Sequence, residues 1–304
     1  MNSPAHRQAV QEAARAAFRG HKRRICKTKP IYPQSVEREF QRLTDAYMKL
    51  LKAELQKHLP EIRAAAQAEV GQRHDGINDL IAFIQQLFVE IREALEQSVA
   101  AFGLRRKVER MAHMLRKLSI KEWKRAVHAV LGIDIFEDYY MGEFYRESIA
   151  RWVEANVGLI STIPQSALGE MENIVLDGFR NGKPTSSIMK EIQKTYSISK
   201  AHARLIARDQ ISKLNGELSR QQQLDAGVKE YIWSDSRDGR VRDSHRSLNG
   251  KRFSWNEPPI VDIKRGRRCH PGQDFQCRCV PLPVFDIDTL DLPISMDQKG
   301  DDKS

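Results

Sequence analysis

A long run of helical apolar periodicity, followed by a short turn-rich segment, is the feature that most limits what this chain can fold into. One apolar stripe at three-to-four spacing consists of Phe40, Leu43, Tyr47, Leu50, Leu51 and Leu55. A longer stripe runs over residues 77–95, and this spacing predicts amphipathic helices that pack on one another. From Val228 the pattern changes, and Tyr231–Trp233, Phe253–Trp255 and Cys279–Phe285 indicate short strands. We therefore expect an α+β fold that is mostly helical over its N-terminal two-thirds, with a small turn-rich, β-containing C-terminal module.

Proline, serine and glycine residues set the expected ends of the helices. Pro60 is expected to close the first helix or its first half, and Ser119–Glu122 has the form of a capping box that begins another. Pro164, Asn181–Pro184 and Ser197–Ser199 are expected to lie in the connectors between four later helices. Gly227 follows the last helix as its C′ residue.

The C-terminal segment carries its own turn chemistry. Asp238-Gly239 and Asn249-Gly250 are dipeptides of the kind that close β-hairpins. Pro281 and Pro283 lack a backbone N–H, so we expect the strand that contains them to lie at the edge of a sheet.

The net charge of +10 is unevenly distributed over the chain, with two basic segments and one acidic segment. Residues 1–30 hold eight Lys and Arg against one Glu, residues 236–268 hold ten against four acids, and residues 286–304 hold six Asp against two Lys. We expect residues 1–30 to form a basic, flexible arm and residues 286–304 an acidic, disordered tail. Basic segments favour non-specific contact with nucleic acid phosphates. The candidate DNA-binding residues are Lys22, Arg23, Arg24, Arg240, Arg242, Arg246, Lys251, Arg252, Arg267 and Arg268.

Several classes of protein are excluded at this stage. No apolar run approaches the roughly 18 residues that a membrane span needs, so we expect no membrane protein. The basic N-terminus is followed by no apolar segment of the secretory type. Four cysteines are too few for a disulfide scaffold and indicate a reducing compartment.

A cluster of soft ligands near the C-terminus makes a structural zinc ion the candidate cofactor. The candidate ligands are His245, Cys269, His270, Cys277 and Cys279. Cys277 and Cys279 form a C-x-C pair, which lacks the C-x₂-C spacing of zinc fingers. Packed thiols or a local disulfide are the alternatives.

His245 also has an enzymatic interpretation. It lies close to Arg242 and Asp243, and a His beside a cation and a carboxylate is what a metal-independent nuclease would use as a general acid or base. Such clusters are also common on ordinary basic surfaces, so these three residues are catalytic candidates only.

The order of motifs over residues 140–285 resembles the phage Mu protein F-like minor head proteins, the phage head morphogenesis family. The motifs are A-R-L-I-A-R-D at Ala203–Asp209, R-V-R-D-S-H-R-S-L-N-G at Arg240–Gly250, and H-P-G-Q-D-F-Q-C-R-C at His270–Cys279. Relatives often carry a C-x-x-C pair where this chain has Val241–Ser244. The domain of this family is expected over residues 136–285, preceded by a helical bundle or hairpin over residues 31–135 that the resemblance does not cover.

The resemblance implies a non-enzymatic virion component, present in few copies, that acts near the portal in capsid assembly and in DNA packaging or delivery. It implies portal, capsid or scaffold proteins and phage DNA as partners, a place in the head interior or portal region, and host cytoplasm before assembly. Self-association through the long helices stays open. The alternatives are a nuclease-like or transferase-like enzyme that uses the His245 region, and a nucleic-acid-binding regulator with sequence-selective binding.

Overall fold

Helices occupy most of the chain up to residue 225 in the computed structural model, which describes residues 3–69, 77–239 and 241–294. The long helices are α1 (Pro4–Phe18), α2 (Gln34–Glu69), α3 (Ile77–Phe102), α4 (Leu104–Leu131), α5 (Glu143–Arg180) and α6 (Thr185–Asp225). The C-terminal part contains β2 (Glu230–Ser234), the short helix α7 (Asp243–Arg246), β3 (Arg252–Ser254), β4 (Ile260–Asp262), β5 (Arg267–Arg268) and β6 (Val280–Asp286). An N-terminal strand, β1 (Arg23–Ile25), joins them, and a 3₁₀ turn covers Asp138–Met141. The predicted α+β class is confirmed.

Several expected helix boundaries are wrong, because the helices run through them. Helix α2 continues past Pro60, α5 continues past Pro164, and α6 includes residues 197–199. A proline inside a helix costs about 3 kcal/mol through a lost hydrogen bond and a steric clash. Buried apolar residues on both sides of Pro60, such as Leu55 and Ile62, each contribute about 1.5–3 kcal/mol and offset that cost.

Ser119 is not an N-cap, since it lies inside α4. Its buried hydroxyl donates a hydrogen bond to Oε1 of Gln222 at 3.1 Å. Glu122, the supposed partner of the capping box, instead accepts a hydrogen bond from the backbone N–H of Ile31 at 2.8 Å. Ser119 and Glu122 therefore lie within a continuous helix and bind other segments of the chain, and they do not cap the start of a helix.

Strand β6 is central in the sheet rather than at its edge. The antiparallel sheet has the order β1-β6-β2-β3, and β4 and β5 form a separate two-stranded sheet. In an antiparallel strand, the N–H and C=O of one residue point to the same neighbour. The carbonyl of Pro283 accepts from Cys26 N–H at 3.0 Å, and that of Pro281 accepts from the Gln223 side chain at 3.0 Å. The ring nitrogens of Pro281 and Pro283, which carry no hydrogen, thus face the side of β6 on which β1 lies. They need no partner there, because β1 pairs only with residues 284–286.

Neither turn dipeptide forms a two-residue hairpin loop. Strands β2 and β3 pair antiparallel, but residues 235–251 join them and include α7. Asn249-Gly250 still makes the turn into β3, because Gly250 has φ +77° and its N–H donates to the carbonyl of Trp233 at 2.8 Å.

Residues 1–30 do not form a flexible arm over the part that the structure describes. Ser3 caps α1 by accepting a hydrogen bond from His6 N–H at 3.2 Å, and Val10, Ala14 and Phe18 of this helix are buried. These three residues recur every four positions, which is helical spacing. Strand β1 then pairs with β6, which ties the N-terminal segment to the C-terminal strand.

The acidic tail is ordered as far as Ile294, contrary to expectation, and residues 295–304 lie outside the described part of the chain. Leu290 and Leu292 are buried, and Asp291 N–H donates to the carbonyl of Ala226 at 3.1 Å. Burial of two leucines and a backbone hydrogen bond is enough to fix a short segment of this kind.

The chain divides into two compact units that differ from the linear division at residues 135 and 285. Unit 1 comprises Met1–Val36, Ala112–Ala150 and Asp209–Ser304, and unit 2 comprises Glu37–Met111 and Arg151–Arg208. Helices α4, α5 and α6 are uninterrupted and contribute residues to both units, which is why no linear boundary describes them. Unit 2 is helical and contains a large apolar core, and unit 1 carries the strands.

Candidate functional site

A buried group of one histidine and two cysteines lies in unit 1. His245 comes from α7, and Cys277 and Cys279 come from the turn that leads into β6. The three residues are 2%, 3% and 4% exposed. One ligand atom from each lies within 4.8 Å of the other two. We call His245, Cys277 and Cys279 the Cys₂His cluster.

Both sulfurs of the cluster approach the same ring nitrogen. His245 Nδ1 lies 3.5 Å from Cys277 Sγ and 3.6 Å from Cys279 Sγ. The backbone N–H of Cys279 also points at Cys277 Sγ, at 3.4 Å. These distances place two thiol groups and one imidazole around a single point.

Asp274 holds the other side of the imidazole ring. Its Oδ2 lies 3.0 Å from His245 Nε2, and the carboxylate is 2% exposed. Arg242 Nη1 lies 3.2 Å from Asp274 Oδ2, and Arg267 Nε lies 3.1 Å from Oδ1. The buried negative charge is therefore compensated by two guanidinium groups.

The turn that carries the cysteines is fixed by helix α6. Asp209 of α6 accepts a hydrogen bond from Gln276 N–H at 2.7 Å, and Gln276 has a left-handed φ of +51°. Gly272 packs against Gly216 of the same helix, where an added Cβ would lie 3.1 Å from the Gly216 Cα. The close approach of two backbones explains glycine at both positions. Cys277 N–H then donates to the carbonyl of Asp274 at 3.1 Å, which closes the turn.

The cluster residues perturb one another's ionisation. Burial lowers the pKa of His245, but the hydrogen bond and charge of Cys277 and the charge of Asp274 outweigh it and raise that pKa above its ordinary value. The hydrogen bond with Cys279 holds the pKa of Cys277 well below the usual thiol range despite burial. The same contact and burial raise the pKa of Cys279. Of the two cysteines, Cys277 is therefore the one that ionises more readily, and the thiolate is the form of cysteine that binds metals.

Two of the five expected metal ligands lie outside the cluster. His270 Nδ1 lies 2.9 Å from the hydroxyl of Tyr231, and its ring packs 4.8 Å from that of Trp255. Burial and the nearby charge of Arg220 lower the pKa of His270 to about 4. Cys269 is half-buried beside the apolar core of the module. All four cysteines are free thiols, so the alternative of a local disulfide is absent from this structure.

The geometry does not support the sequence-based catalytic arrangement. Asp243 does not pair with His245, since its side chain is 99% exposed and 3.3 Å from Arg246. Arg242 is held by Asp274 and by the carbonyl of Phe275 at 2.9 Å. With His245 buried, both ring nitrogens face protein groups and neither faces solvent.

Asp274 is the residue of this candidate site that the sequence analysis missed. It lies 29 positions from His245, and only the return of the chain from β5 towards β6 brings the two together. The sequence offers one signal for its role, which is its position three residues before Cys277.

The candidate DNA-binding residues separate into three groups. Lys22 and Arg23 form ion pairs with the C-terminal segment, to Asp288 at 3.4 Å and Asp286 at 2.9 Å. Arg242 and Arg267 hold Asp274. The remaining described candidates are Arg24, which is half-buried, and Arg246, Lys251, Arg252 and Arg268, which are exposed. Arg240 lies outside the described residues.

Comparison with known proteins links this site to a phage family. Residues 169–282 match the family described as Phage Mu protein F like protein, and the Cys₂His cluster and Asp274 all lie inside this segment.

Two curated proteins are similar to the chain. An uncharacterized protein of Haemophilus influenzae is 34% identical over 155 residues, which cover 51% of this chain and 33% of that protein. Minor head protein GP7 of Bacillus phage SPP1 is 22% identical over 268 residues, which cover 77% of this chain and 86% of that protein. The chain thus matches about a third of the length of the first relative and most of the second.

No solved structure matches the chain significantly. Among the described residues, none of the helices is both long and apolar enough to cross a membrane.

Proposed function

We propose that this chain, whose residues 169–282 match the Phage Mu protein F like family, is a minor head protein that acts in phage head morphogenesis. The observation that carries the proposal is the similarity to Minor head protein GP7, which extends over 86% of that protein's length. A likeness along most of a head protein supports the same overall role better than a shared module would.

The finer part of the proposal places the protein near the portal, in contact with portal, capsid or scaffold proteins. The order of motifs that resembles the head morphogenesis family supports this placement. The protein would then be a virion component, in the head interior or portal region, and would pass through the host cytoplasm before assembly.

Contact with packaged DNA is the second finer part. Arg246, Lys251, Arg252 and Arg268 are exposed on unit 1 and carry positive charge for phosphate contact. The partners of two of them are exposed acids, Asp243 at 3.3 Å from Arg246 and Glu257 at 3.6 Å from Arg268, and exposed ion pairs of this type contribute only about 0–1 kcal/mol. These pairs can therefore open when phosphates approach.

Inactivation of the gene in a phage that carries it tests the role in head assembly. We expect few infectious particles and defective or unfilled heads, with full recovery when the wild-type protein is supplied in trans. Normal heads and a normal particle yield without the protein would contradict the proposal. Portal protein should co-purify with tagged protein from infected cells. If it does not, the placement near the portal is wrong, whereas the role in head assembly is not affected.

The enzymatic alternative is tested with the purified protein. Because His245 is buried between Asp274 and two thiols, we expect no degradation of DNA or RNA. Nuclease activity that disappears in His245→Ala, with the fold retained by circular dichroism, would contradict a purely structural role.

A further inference from the structure

We propose that the Cys₂His cluster binds one zinc ion through His245 Nδ1, Cys277 Sγ and Cys279 Sγ, and that Asp274 is the positioning residue of this site. The proposal is independent of the role in head assembly. It selects three of the five residues that the sequence indicates and adds a carboxylate that the sequence does not.

The distances within the cluster fit tetrahedral zinc. Zinc lies about 2.3 Å from a cysteine sulfur and about 2.0–2.1 Å from a histidine nitrogen, so at a tetrahedral angle the nitrogen and sulfur are about 3.5 Å apart. The observed separations from His245 Nδ1 are 3.5 Å to Cys277 Sγ and 3.6 Å to Cys279 Sγ. Two thiolates and one imidazole are also the soft and borderline donors that zinc prefers.

Hydrogen bonding alone does not account for this arrangement. One imidazole nitrogen carries either one proton or one lone pair, so Nδ1 can make one good hydrogen bond. Here two sulfurs lie at hydrogen-bond distance from it, in a site where all three residues are less than 5% exposed. A cation shared by the three atoms satisfies both sulfurs and the nitrogen together.

Asp274 sets the tautomer that zinc binding requires. A histidine that ligates through Nδ1 must carry its proton on Nε2, and here Nε2 lies 3.0 Å from Asp274 Oδ2. Arg242 and Arg267 pair with this carboxylate and hold it in place, so the hydrogen bond that it accepts from Nε2 fixes the orientation of the ring.

The backbone also supports thiolate ligands. Cys279 N–H points at Cys277 Sγ at 3.4 Å, and an N–H donor stabilises a negatively charged sulfur. Because the cluster joins α7 to the turn before β6, a bound ion would tie together two segments that have little regular structure of their own. The proposal commits to three protein ligands, since Cys269 lies outside the cluster.

Metal analysis of the full-length protein, purified under reducing conditions without a chelator, is the first test. We expect about one zinc per chain and a lower Tm after removal of zinc with a chelator. Protein that contains no zinc, does not take up added zinc and has the same Tm with and without chelator would overturn the proposal. An oxidised Cys277–Cys279 pair in protein from the reducing cytoplasm would overturn it as well.

Cysteine variants test the ligand set. Cys277→Ser and Cys279→Ser should each lose zinc, whereas the matched controls Cys269→Ser and Cys26→Ser should keep about one zinc per chain. Zinc loss in Cys269→Ser would contradict the three-ligand assignment. If a ligand variant does not fold, cobalt substitution of the wild-type protein decides the question, because two thiolate ligands give tetrahedral visible bands and sulfur-to-cobalt charge transfer. A cobalt spectrum without these bands would contradict the site.

Asp274→Asn tests the positioning role. An amide keeps the shape but removes the charge that holds the Nε2 proton, so we expect zinc affinity to fall about 10- to 100-fold and the visible cobalt bands to shift. His270→Gln, which alters a buried histidine outside the cluster, should leave both unchanged. If folded Asp274→Asn keeps the zinc affinity and the cobalt spectrum of the wild-type protein, the positioning role of Asp274 is wrong.

Discussion

Gly227 lies where helix α6 ends and the chain turns towards β2, directly beneath the C-terminal segment. It has φ +73°, and a Cβ at this position would lie 1.7 Å from the carbonyl oxygen of Thr289. The hydroxyl of Thr289 donates to the carbonyl of Gly227 at 2.7 Å, which holds the two backbones together. Any larger residue must therefore move the C-terminal segment as well as adopt a strained backbone.

We expect Gly227→Ala to lower the free energy of unfolding by about 2–4 kcal/mol, from left-handed strain together with overpacking. Chemical denaturation monitored by circular dichroism measures the change. The matched control is Gly158→Ala, inside helix α5, where an added Cβ meets no atom within 4 Å. That change should stabilise the protein by about 0.5–1 kcal/mol, and an equal loss in both variants would contradict the account of Gly227.

At the residue scale, the sequence identified His245, Cys277 and Cys279 but not their surroundings. Residue chemistry and proximity along the chain make His245 and the C-x-C pair visible. Asp274 could not be distinguished from Asp243, because which of two nearby carboxylates meets a histidine depends on how the chain returns through β5 and the following turn.

At the scale of elements, α1 and β1 are structural parts of unit 1. Helix α1 buries Val10 and Phe18, and strand β1 covers one side of β6. Removal of α1 and β1 would expose the apolar surface that Val10 and Phe18 cover. It would also leave one edge of β6, the strand with two prolines, without a partner.

Deletion of residues 1–30 should therefore lower the Tm by at least about 5 °C, since burial of two large apolar side chains contributes about 3–6 kcal/mol. Differential scanning calorimetry measures it. Arg7→Gln with Lys22→Gln is the matched control, since these exposed ion pairs contribute little and the Tm should stay within about 2 °C. An unchanged Tm in the protein that lacks residues 1–30 would contradict a structural role for α1 and β1 and would favour a flexible arm.

Periodicity predicted the elements better than the residues that normally interrupt them. The stripes over residues 40–55 and 77–95 both lie on helices, as expected. Pro60 and Pro164 gave wrong boundaries because apolar burial on both sides outweighs the local cost of a proline. The central place of β6 was equally hidden, since it depends on the short length of β1 opposite Pro281 and Pro283.

At the scale of the whole molecule, the basic charge is less available than the sequence suggests. Part of it is paired with the ordered acidic segment, as between Arg23 and Asp286, and part of it holds Asp274. The exposed residues Arg246 and Lys251 are among the candidates that remain for phosphate contact.

Replacement of both residues, Arg246→Gln with Lys251→Gln, should weaken DNA binding and reduce the slope of log affinity against log salt by about 2. Fluorescence anisotropy at several salt concentrations, with two unrelated duplexes, measures both effects. Lys49→Gln with Lys52→Gln removes the same charge from exposed positions of α2 and should leave the slope unchanged. Equal effects of the two pairs would contradict a localised DNA surface, and strong preference for one duplex would favour the regulator alternative.

The most direct test of the central claim is quantitative mass spectrometry of purified phage heads. If the chain is a minor head protein, its peptides should be present in heads at a small, constant number of copies relative to portal protein, and far below the major capsid protein. Heads that are complete and infectious but contain none of it would contradict the assignment.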